Sequence, residues 1–192
     1  MSDLDLALSI ALGVGLAAAT GFRVFLPMLV VSAAAYTGYL PSNFAWLGTP
    51  GALIMLGVAA LVEILAYYIP GVDNLLDVLA TPAAVVAGTL VSAAVITDLP
   101  PMLKWTTAII AGGGVAGLTQ GVTALLRAKS TVLTAGVGNP VIATAELGGS
   151  LLVSLLALAA PLVALLVVIV FLWLAMRLIR RIARSASSSS TG

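Results

Sequence analysis

The stretch GLAAATGFRVFLPMLV, residues 15–30, places an arginine among small and apolar residues, and Arg23 is the only charged residue between Leu6 and Tyr39. A charged side chain inside a membrane span is costly and usually faces the interior of the helix bundle. The apolar run over residues 6–36 would form a straight helix of about 45 Å, whereas the hydrocarbon core of a bilayer measures about 30 Å. Pro27 also removes a helical hydrogen bond. We therefore predict that the first helix is broken, or re-enters the membrane, close to Arg23.

The composition of the whole chain indicates a membrane protein. Of its 192 residues, 61% are hydrophobic and 8% are charged, and the mean hydropathy is +1.22. A soluble domain carries about a quarter charged residues. A net charge of +1 argues against a nucleic-acid partner. The chain has no histidine and no cysteine, so the commonest metal ligands, the usual general base and thiolate chemistry are missing. We predict no enzyme activity, no metal and no cofactor.

Apolar runs separated by turn-forming clusters predict an all-α polytopic protein with about six transmembrane helices. The runs cover residues 6–36, 51–69, 78–97, 105–126, 131–158 and 160–176. Together they form one transmembrane domain, residues 1–182, and residues 183–192 form a polar tail that we predict to be disordered. The acidic N-terminal flank is unlike a cleaved secretory signal.

The charges that flank the runs predict the orientation. Four arginines follow the last run, which places the C-terminus in the cytoplasm by the positive-inside rule: Arg177, Arg180, Arg181 and Arg184. An even number of spans then places the N-terminus in the cytoplasm as well.

Three landmarks occur in the same order in each half of the chain. They are ALGVGLAAATG (11–21) with AGGGVAGLTQG (111–121), Glu63 with Glu146, and Pro82 with Pro161. We interpret them as two repeats, residues 5–98 and 104–180, although chains rich in small apolar residues also match by chance. Three spans in each repeat predict an inverted-topology fold with the first helix of each half broken or re-entrant. Such folds bind their substrates near the membrane midplane.

Four ionisable residues within the apolar runs are candidate site residues: Arg23, Glu63, Arg127 and Glu146. The simplest pairing joins Arg23 with Glu63, and Arg127 or Lys129 with Glu146. Such pairs could be structural locks that hold helices together. Alternatively, the glutamates exchange protons or bind cations, while Arg23 binds an anionic headgroup or carboxylate beside free backbone N–H groups. A residue that lies closer to the interface would instead extend its charged end to water.

Polar residues of the second half extend the candidate set. Thr119 and Gln120 either line an aqueous path or form interhelical hydrogen bonds. The glycines of AGGGVAG (111–117) lack the lysine of a phosphate-binding loop, so we predict that they allow close helix packing. Asp73, Asn74 and Asp77 suit the start of a helix better than a divalent-ion site. The aromatic residues, Tyr67 among them, fit the interfacial belt.

The segments GLAAATGFRVFLP (15–27) and GNPVIATAELGGSLL (138–152) resemble an uncharacterised bacterial inner-membrane family, a domain of unknown function. The resemblance covers about residues 5–180 and implies a small protein of the bacterial inner membrane. It implies no substrate and no site residues.

These features predict a small secondary transporter or permease for an anionic or amphiphilic solute. The glutamates could couple the movement of this solute to that of protons. Its partners would be membrane lipids, the solute and a second copy of the chain that packs along the glycine-rich faces. A passive channel is one alternative. A structural or lipid-handling membrane protein without transport activity is another.

Overall fold

A computed structural model describes residues 3–40, 45–69, 71–96 and 99–188. These residues form seven helices and no β-strand. The helices are α1 (Asp3–Thr20), α2 (Phe25–Tyr36), α3 (Pro50–Ala66), α4 (Val72–Val95), α5 (Pro101–Thr134), α6 (Asn139–Ala159) and α7 (Pro161–Ser188). Four of the seven are long and apolar enough to cross a membrane, namely α1, α4, α5 and α6, while α2, α3 and the apolar part of α7 are shorter.

The predicted break in the first apolar run is confirmed, because α1 ends at Thr20 and α2 starts at Phe25. The turn between these helices contains Arg23. Pro27 lies in the first turn of α2, where backbone N–H groups have no helical acceptor, so proline is tolerated there. The chain therefore turns before the proline.

The small residues of α1 place this helix at the centre of the bundle. Nearly all residues from Ala11 to Thr20 are buried, and α1 packs against α4, α5, α6 and α7. Small side chains let helix backbones approach closely. A Cβ atom on Gly15, for example, would lie 3.0 Å from the Cβ of Ala157 in α6.

Helices α4 and α5 also pack with their backbones close together. A π-helical turn interrupts α5 at Ala108–Gly113, and a Cβ on Gly112 would lie 2.7 Å from the carbonyl oxygen of Gly88. Further along α5, a Cβ on Gly117 would lie 3.0 Å from Val85, so the two helices are antiparallel. The prediction that this glycine-rich stretch serves helix packing is confirmed.

Helices α1 and α7 run in the same direction. Gly15 lies beside Ala164, and Phe22, seven residues later, contacts Phe171 edge to face with the ring centroids 5.0 Å apart. The start of α1 and the end of α7 therefore lie at opposite ends of the bundle. This arrangement does not agree with the six-span prediction, which placed both termini on one side. The six-span prediction treated residues 6–36 as one span. In the structure, α2 turns back from α1 and forms a hairpin with α3, so that α2 adds one more passage along the bundle.

The first landmark pair of the predicted repeat is not inverted. Ser92 of α4 lies beside Gly13 of α1, and Gly88, one turn earlier, lies beside Thr20. Helix α4 is thus antiparallel to α1 as well as to α5, so α1 and α5 run in the same direction. The two proline landmarks occupy different positions in their helices, since Pro82 lies inside α4 while Pro161 starts α7.

The outer surface of the bundle is apolar. Large side chains on several helices are exposed, such as Ile54 (69%), Val78 (70%) and Ile110 (70%), as expected where the solvent is lipid. Helix α7 keeps helical backbone to Ser188, so the polar tail predicted from residue 183 begins within this helix. Residues 189–192 of that tail lie outside the described residues.

Candidate functional site

A cluster of charged and polar side chains lies inside the bundle, nearer to one end than to the middle. It is formed by the turn after α1, the C-terminal ends of α3 and α5, and the N-terminal parts of α4 and α6. We call it the arginine cluster, and its members are Arg23, Tyr67, Asp77, Arg127 and Glu146. Both arginines are only 1% exposed, so their charges must be balanced within the protein.

Glu146 bridges the two arginines. Its Oε2 accepts a hydrogen bond from Nη2 of Arg127, and Nη2 of Arg23 lies 3.6 Å from the same oxygen. Nη2 of Arg23 also donates a hydrogen bond of 2.8 Å to the backbone carbonyl of Ala143, which lies one turn before Glu146 in α6. The predicted pairing of Arg127 with Glu146 is confirmed. One carboxylate thus joins the turn after α1 to α5 and α6.

Two further residues complete the cluster. Oδ1 of Asp77 lies 3.3 Å from Nη1 of Arg127 and accepts a longer hydrogen bond, 3.4 Å, from the hydroxyl of Tyr67. The Tyr67 ring centroid lies 3.8 Å from Cζ of Arg23 and 4.2 Å from Cζ of Arg127. A guanidinium at this distance from an aromatic ring gains a cation–π interaction. Tyr67 therefore contacts both cations and one of the anions.

Glu63 has a different partner from the one predicted. Its Oε1 accepts the backbone N–H of Val24 at 2.7 Å, and its Oε2 accepts that of Phe25 at 3.0 Å. These N–H groups open α2, where no helical carbonyl is available to them. The predicted ion pair with Arg23 is wrong, since the carboxylate nearest to Arg23 is that of Glu146. Glu63 caps α2 from a neighbouring helix, because the break in the chain leaves those donors inside the bundle.

Several buried polar atoms around the cluster have no hydrogen-bond partner among the described residues. Most are donors, which is unusual because buried polar groups are nearly always satisfied in folded proteins. The donors are Nε and Nη1 of Arg23, Nε and Nη1 of Arg127 and Nε2 of Gln120, and the Thr119 hydroxyl can donate or accept. Of these, Nη1 of Arg127 has its ion pair with Asp77. The acceptors are Oε1 of Glu146 and Oδ1 of Asn139. The unpartnered donors outnumber the unpartnered acceptors, so the cluster has hydrogen-bonding capacity for a further acceptor oxygen.

A second polar contact lies next to the cluster and joins three helices. The Asn139 amide at the start of α6 donates to Oδ2 of Asp73 at 2.5 Å and to the hydroxyl of Thr131 at 2.9 Å. The other oxygen of Asp73 accepts the backbone N–H of Gly71 at 2.9 Å, so Asp73 lies at the start of α4 as predicted. The side chain of Asn74 lies outside the described residues. Among the described residues, no group of three or more acidic side chains is placed to bind a metal ion.

Two grooves open on the outer surface on either side of α4. The first, which we call the lateral groove, has a volume of about 500 Å³ and lies between the start of α2, α3 and α4. Its walls are apolar, with Met55, Val62 and Leu79 among them, and Glu63 and Tyr67 also line it. The second has a volume of about 690 Å³, lies between α4 and α5, and includes Asp77. Each groove therefore reaches a residue of the cluster or its neighbour Glu63.

The structure brings together most of the residues predicted for the site. Arg23, Arg127 and Glu146 are in contact, and Glu63 lies beside them. Thr119 and Gln120 are buried about two turns before Arg127 in α5. Three further residues of the site were not predicted from the sequence: Tyr67, Asp77 and Asn139. The spacing of Asp73 and Asp77, which places both on one face of α4, was the signal that could have indicated Asp77.

The apolar outer surface, the long apolar helices and the buried charges define a multi-pass helical membrane protein. The chain belongs to the family described as a domain of unknown function, DUF4126, which it matches over residues 10–181. No curated protein and no solved structure matches the chain.

Proposed function

We propose that this protein is a small secondary transporter or permease for an amphiphilic anion. The observation that carries the proposal is the pair of fully buried guanidinium groups with unpartnered donors, next to a groove that opens toward lipid. Ionisable groups inside a membrane protein mark substrate and ion pathways. Arg23 and Arg127 would bind the anionic group, with Gln120 and Thr119 as further donors.

The lateral groove supports the amphiphilic character of the solute. Binding sites for small molecules are mostly apolar, measure about 300–1,000 Å³, and carry a few polar groups that orient the ligand. The groove is in this range and reaches Tyr67, which contacts both arginines. A hydrocarbon tail could therefore stay in the groove while the headgroup points toward the guanidiniums.

The proposed orientation follows from the flanking charges. Lys129, Arg177 and Arg180 are exposed at the end of the bundle that carries the cluster, and the positive-inside rule favours the cytoplasm for that end. Because α1 and α7 run in the same direction, the N-terminal end of α1 would face the opposite side. We place the protein in the bacterial inner membrane, with the α2–α3 hairpin as a re-entrant segment. The three-plus-three inverted repeat is not part of the proposal.

A homodimer stays part of the proposal because some glycines of α5 are not used for packing within the chain. Gly114 and Gly121 have no neighbouring atom within 4 Å of an added Cβ. Small residues on a lipid-facing helix allow two helices to approach closely. Chemical crosslinking in native membranes would detect such a dimer.

Flux measurements in liposomes test the transport function. The purified protein is reconstituted with a pH-sensitive dye inside the vesicles, and octanesulfonate or methanesulfonate is added outside. We expect protein-dependent entry of octanesulfonate together with protons, and at most weak entry of the tail-less methanesulfonate. Arg23→Ala should abolish the flux, and Glu146→Gln should remove its proton dependence. Unchanged flux in Arg23→Ala, with folding intact, would remove Arg23 from the mechanism, and fast flux without protons would favour a channel.

Lipid handling without solute transport is the second candidate, and the apolar lateral groove favours it. In that case the charges would be structural locks and the groove would hold the acyl chain of a bilayer lipid. The same vesicles with a fluorescent phospholipid would then show exchange of lipid between leaflets, and no octanesulfonate flux.

A further inference from the structure

We infer that Glu146 is the internal ligand of a two-arginine anion site, and that a proton on Glu146 lets the acidic headgroup of a single-chain amphiphile take its place. The physiological meaning of this exchange rests on the proposed transport function. The binding step itself can be measured without transport.

The position of Glu146 is the first argument. A single oxygen of its side chain contacts both guanidiniums, so it occupies the place where an external carboxylate, phosphate or sulfonate would bind. Arginines bind such groups through several parallel N–H donors. The unpartnered Nε and Nη1 of Arg23 and Nε of Arg127 give an incoming anion more donors than Glu146 uses.

The charge balance is the second argument. The charged groups that face Glu146 are Arg23 from the turn after α1, Asp77 from α4 and Arg127 from α5, and the ring of Tyr67 lies beside both arginines. Within the arginine cluster, two positive and two negative charges balance each other. The carboxylate of Glu63, which also interacts with Arg23, is matched by the two backbone N–H groups at the start of α2. An added anion would leave one negative charge uncompensated, which is costly away from water. One proton on Glu146 restores the balance, so the exchange couples one proton to one anion.

The remaining carboxylates cannot replace Glu146 in this role. Glu63 is held by two backbone N–H groups at the start of α2, and Asp73 is held by Gly71 and Asn139. Asp77 contacts one arginine only. Glu146 is the carboxylate, among the described residues, that contacts both arginines.

The route to the site determines the shape of the ligand. Tyr67 lines the lateral groove and at the same time covers both guanidiniums. A headgroup that enters through the lateral groove must pass this ring, while an attached chain stays in apolar surroundings. A single-chain amphiphile with an acidic headgroup fits these conditions, because its tail replaces lipid contacts in the groove.

The test measures binding of octanesulfonate to the full chain in lipid nanodiscs of neutral lipid. A sulfonate stays ionised across the measured range, so any pH dependence belongs to the protein. We expect the affinity to increase at least about tenfold from about pH 8 to about pH 5, because each anion binds with one proton. The neutral octyl glucoside, with the same tail, should show no pH dependence.

Two matched variants sharpen the test. Glu146→Gln, a permanently uncharged side chain, should bind octanesulfonate tightly at both pH values. Glu63→Gln should keep the pH dependence of the unmodified chain. If Glu146→Gln is less stable than the unmodified chain, octanesulfonate should raise its unfolding temperature toward that of the unmodified chain. The reason is that the anion supplies the missing partner of the arginines.

Affinity that does not change with pH in the unmodified chain, or a pH dependence that persists in Glu146→Gln, would overturn the inference. Failure of the proposed function has a different signature: pH-dependent binding in nanodiscs without any octanesulfonate flux in liposomes. Flux with an unaltered pH profile in Glu146→Gln would preserve the function and overturn the exchange.

Discussion

The carboxylate of Glu63 accepts the backbone N–H of Val24 over 2.7 Å, across 39 positions of sequence. Its second oxygen accepts the next N–H, that of Phe25. A side chain of α3 thus provides the cap that α2 lacks in its own sequence, since the residue before α2 is a valine and not a serine or aspartate. The broken first run is stable because another helix supplies its missing acceptors.

Removal of this cap should destabilise the protein. Glu63→Ala leaves the buried N–H of Val24 and the partly buried N–H of Phe25 without an acceptor, and we expect it to lower the free energy of unfolding by about 2–4 kcal/mol. Glu63→Gln keeps one acceptor oxygen and should lose less. Unfolding by heat in detergent, followed by circular dichroism, measures both. Val62→Ala, at an exposed position in the same helix, is the control, and equal stability of Glu63→Ala and Val62→Ala would contradict the capping role.

The contact of α4 with α5 predicts a second stability effect. Gly112→Ala places a methyl group 2.7 Å from the carbonyl oxygen of Gly88, which is closer than normal packing allows, so we expect a loss of about 1–3 kcal/mol. Gly148→Ala, in α6, meets no atom within 4 Å and should be neutral or slightly stabilising, since alanine favours helix. The same unfolding assay compares the two. A Gly112→Ala protein as stable as Gly148→Ala would show that the backbones of α4 and α5 are not in contact.

Much of the fold could be predicted from local signals. The apolar composition predicted a membrane protein. The length of the first apolar run, together with its proline, predicted a break in the first helix. The glycine-rich stretch predicted close packing. Each of these depends on neighbouring residues of the chain. Helix α2 was not predicted as a passage of its own, because residues 6–36 contain no polar segment that would mark the end of a span.

The partners inside the site depend on packing and could not be predicted with the same success. Arg23 lies 40 positions from Glu63 and 123 from Glu146, and only the arrangement of α1, α3 and α6 decides which glutamate it contacts. Tyr67 lies at the end of an apolar run, where aromatic residues usually mark the interface. Its contact with two buried arginines has no signature in the sequence.

Tyr67 should act as a barrier between the lateral groove and the arginines. Tyr67→Ala removes the ring that covers both guanidiniums, so we expect Arg23 and Arg127 to become reactive toward phenylglyoxal, an arginine-specific reagent, in proteoliposomes. Tyr67→Phe keeps the ring and loses only the 3.4 Å hydroxyl contact with Asp77, so the arginines should stay protected. Mass spectrometry of the labelled peptides measures the modification. Equal protection in Tyr67→Ala and Tyr67→Phe would show that the ring is not the barrier.

The parallel course of α1 and α7 predicts that the two ends of the chain lie on opposite sides of the membrane. The chain has no cysteine, so single cysteines can be introduced at exposed positions without background. In intact bacterial cells, a membrane-impermeant maleimide should label Asp5→Cys, while Lys129→Cys and Arg180→Cys should react only after the cells are opened. The reason is that the last two positions share the basic end of the bundle, for which the positive-inside rule predicts a cytoplasmic location. Labelling of Asp5→Cys and Arg180→Cys from the same side would contradict this arrangement and restore the even number of spans.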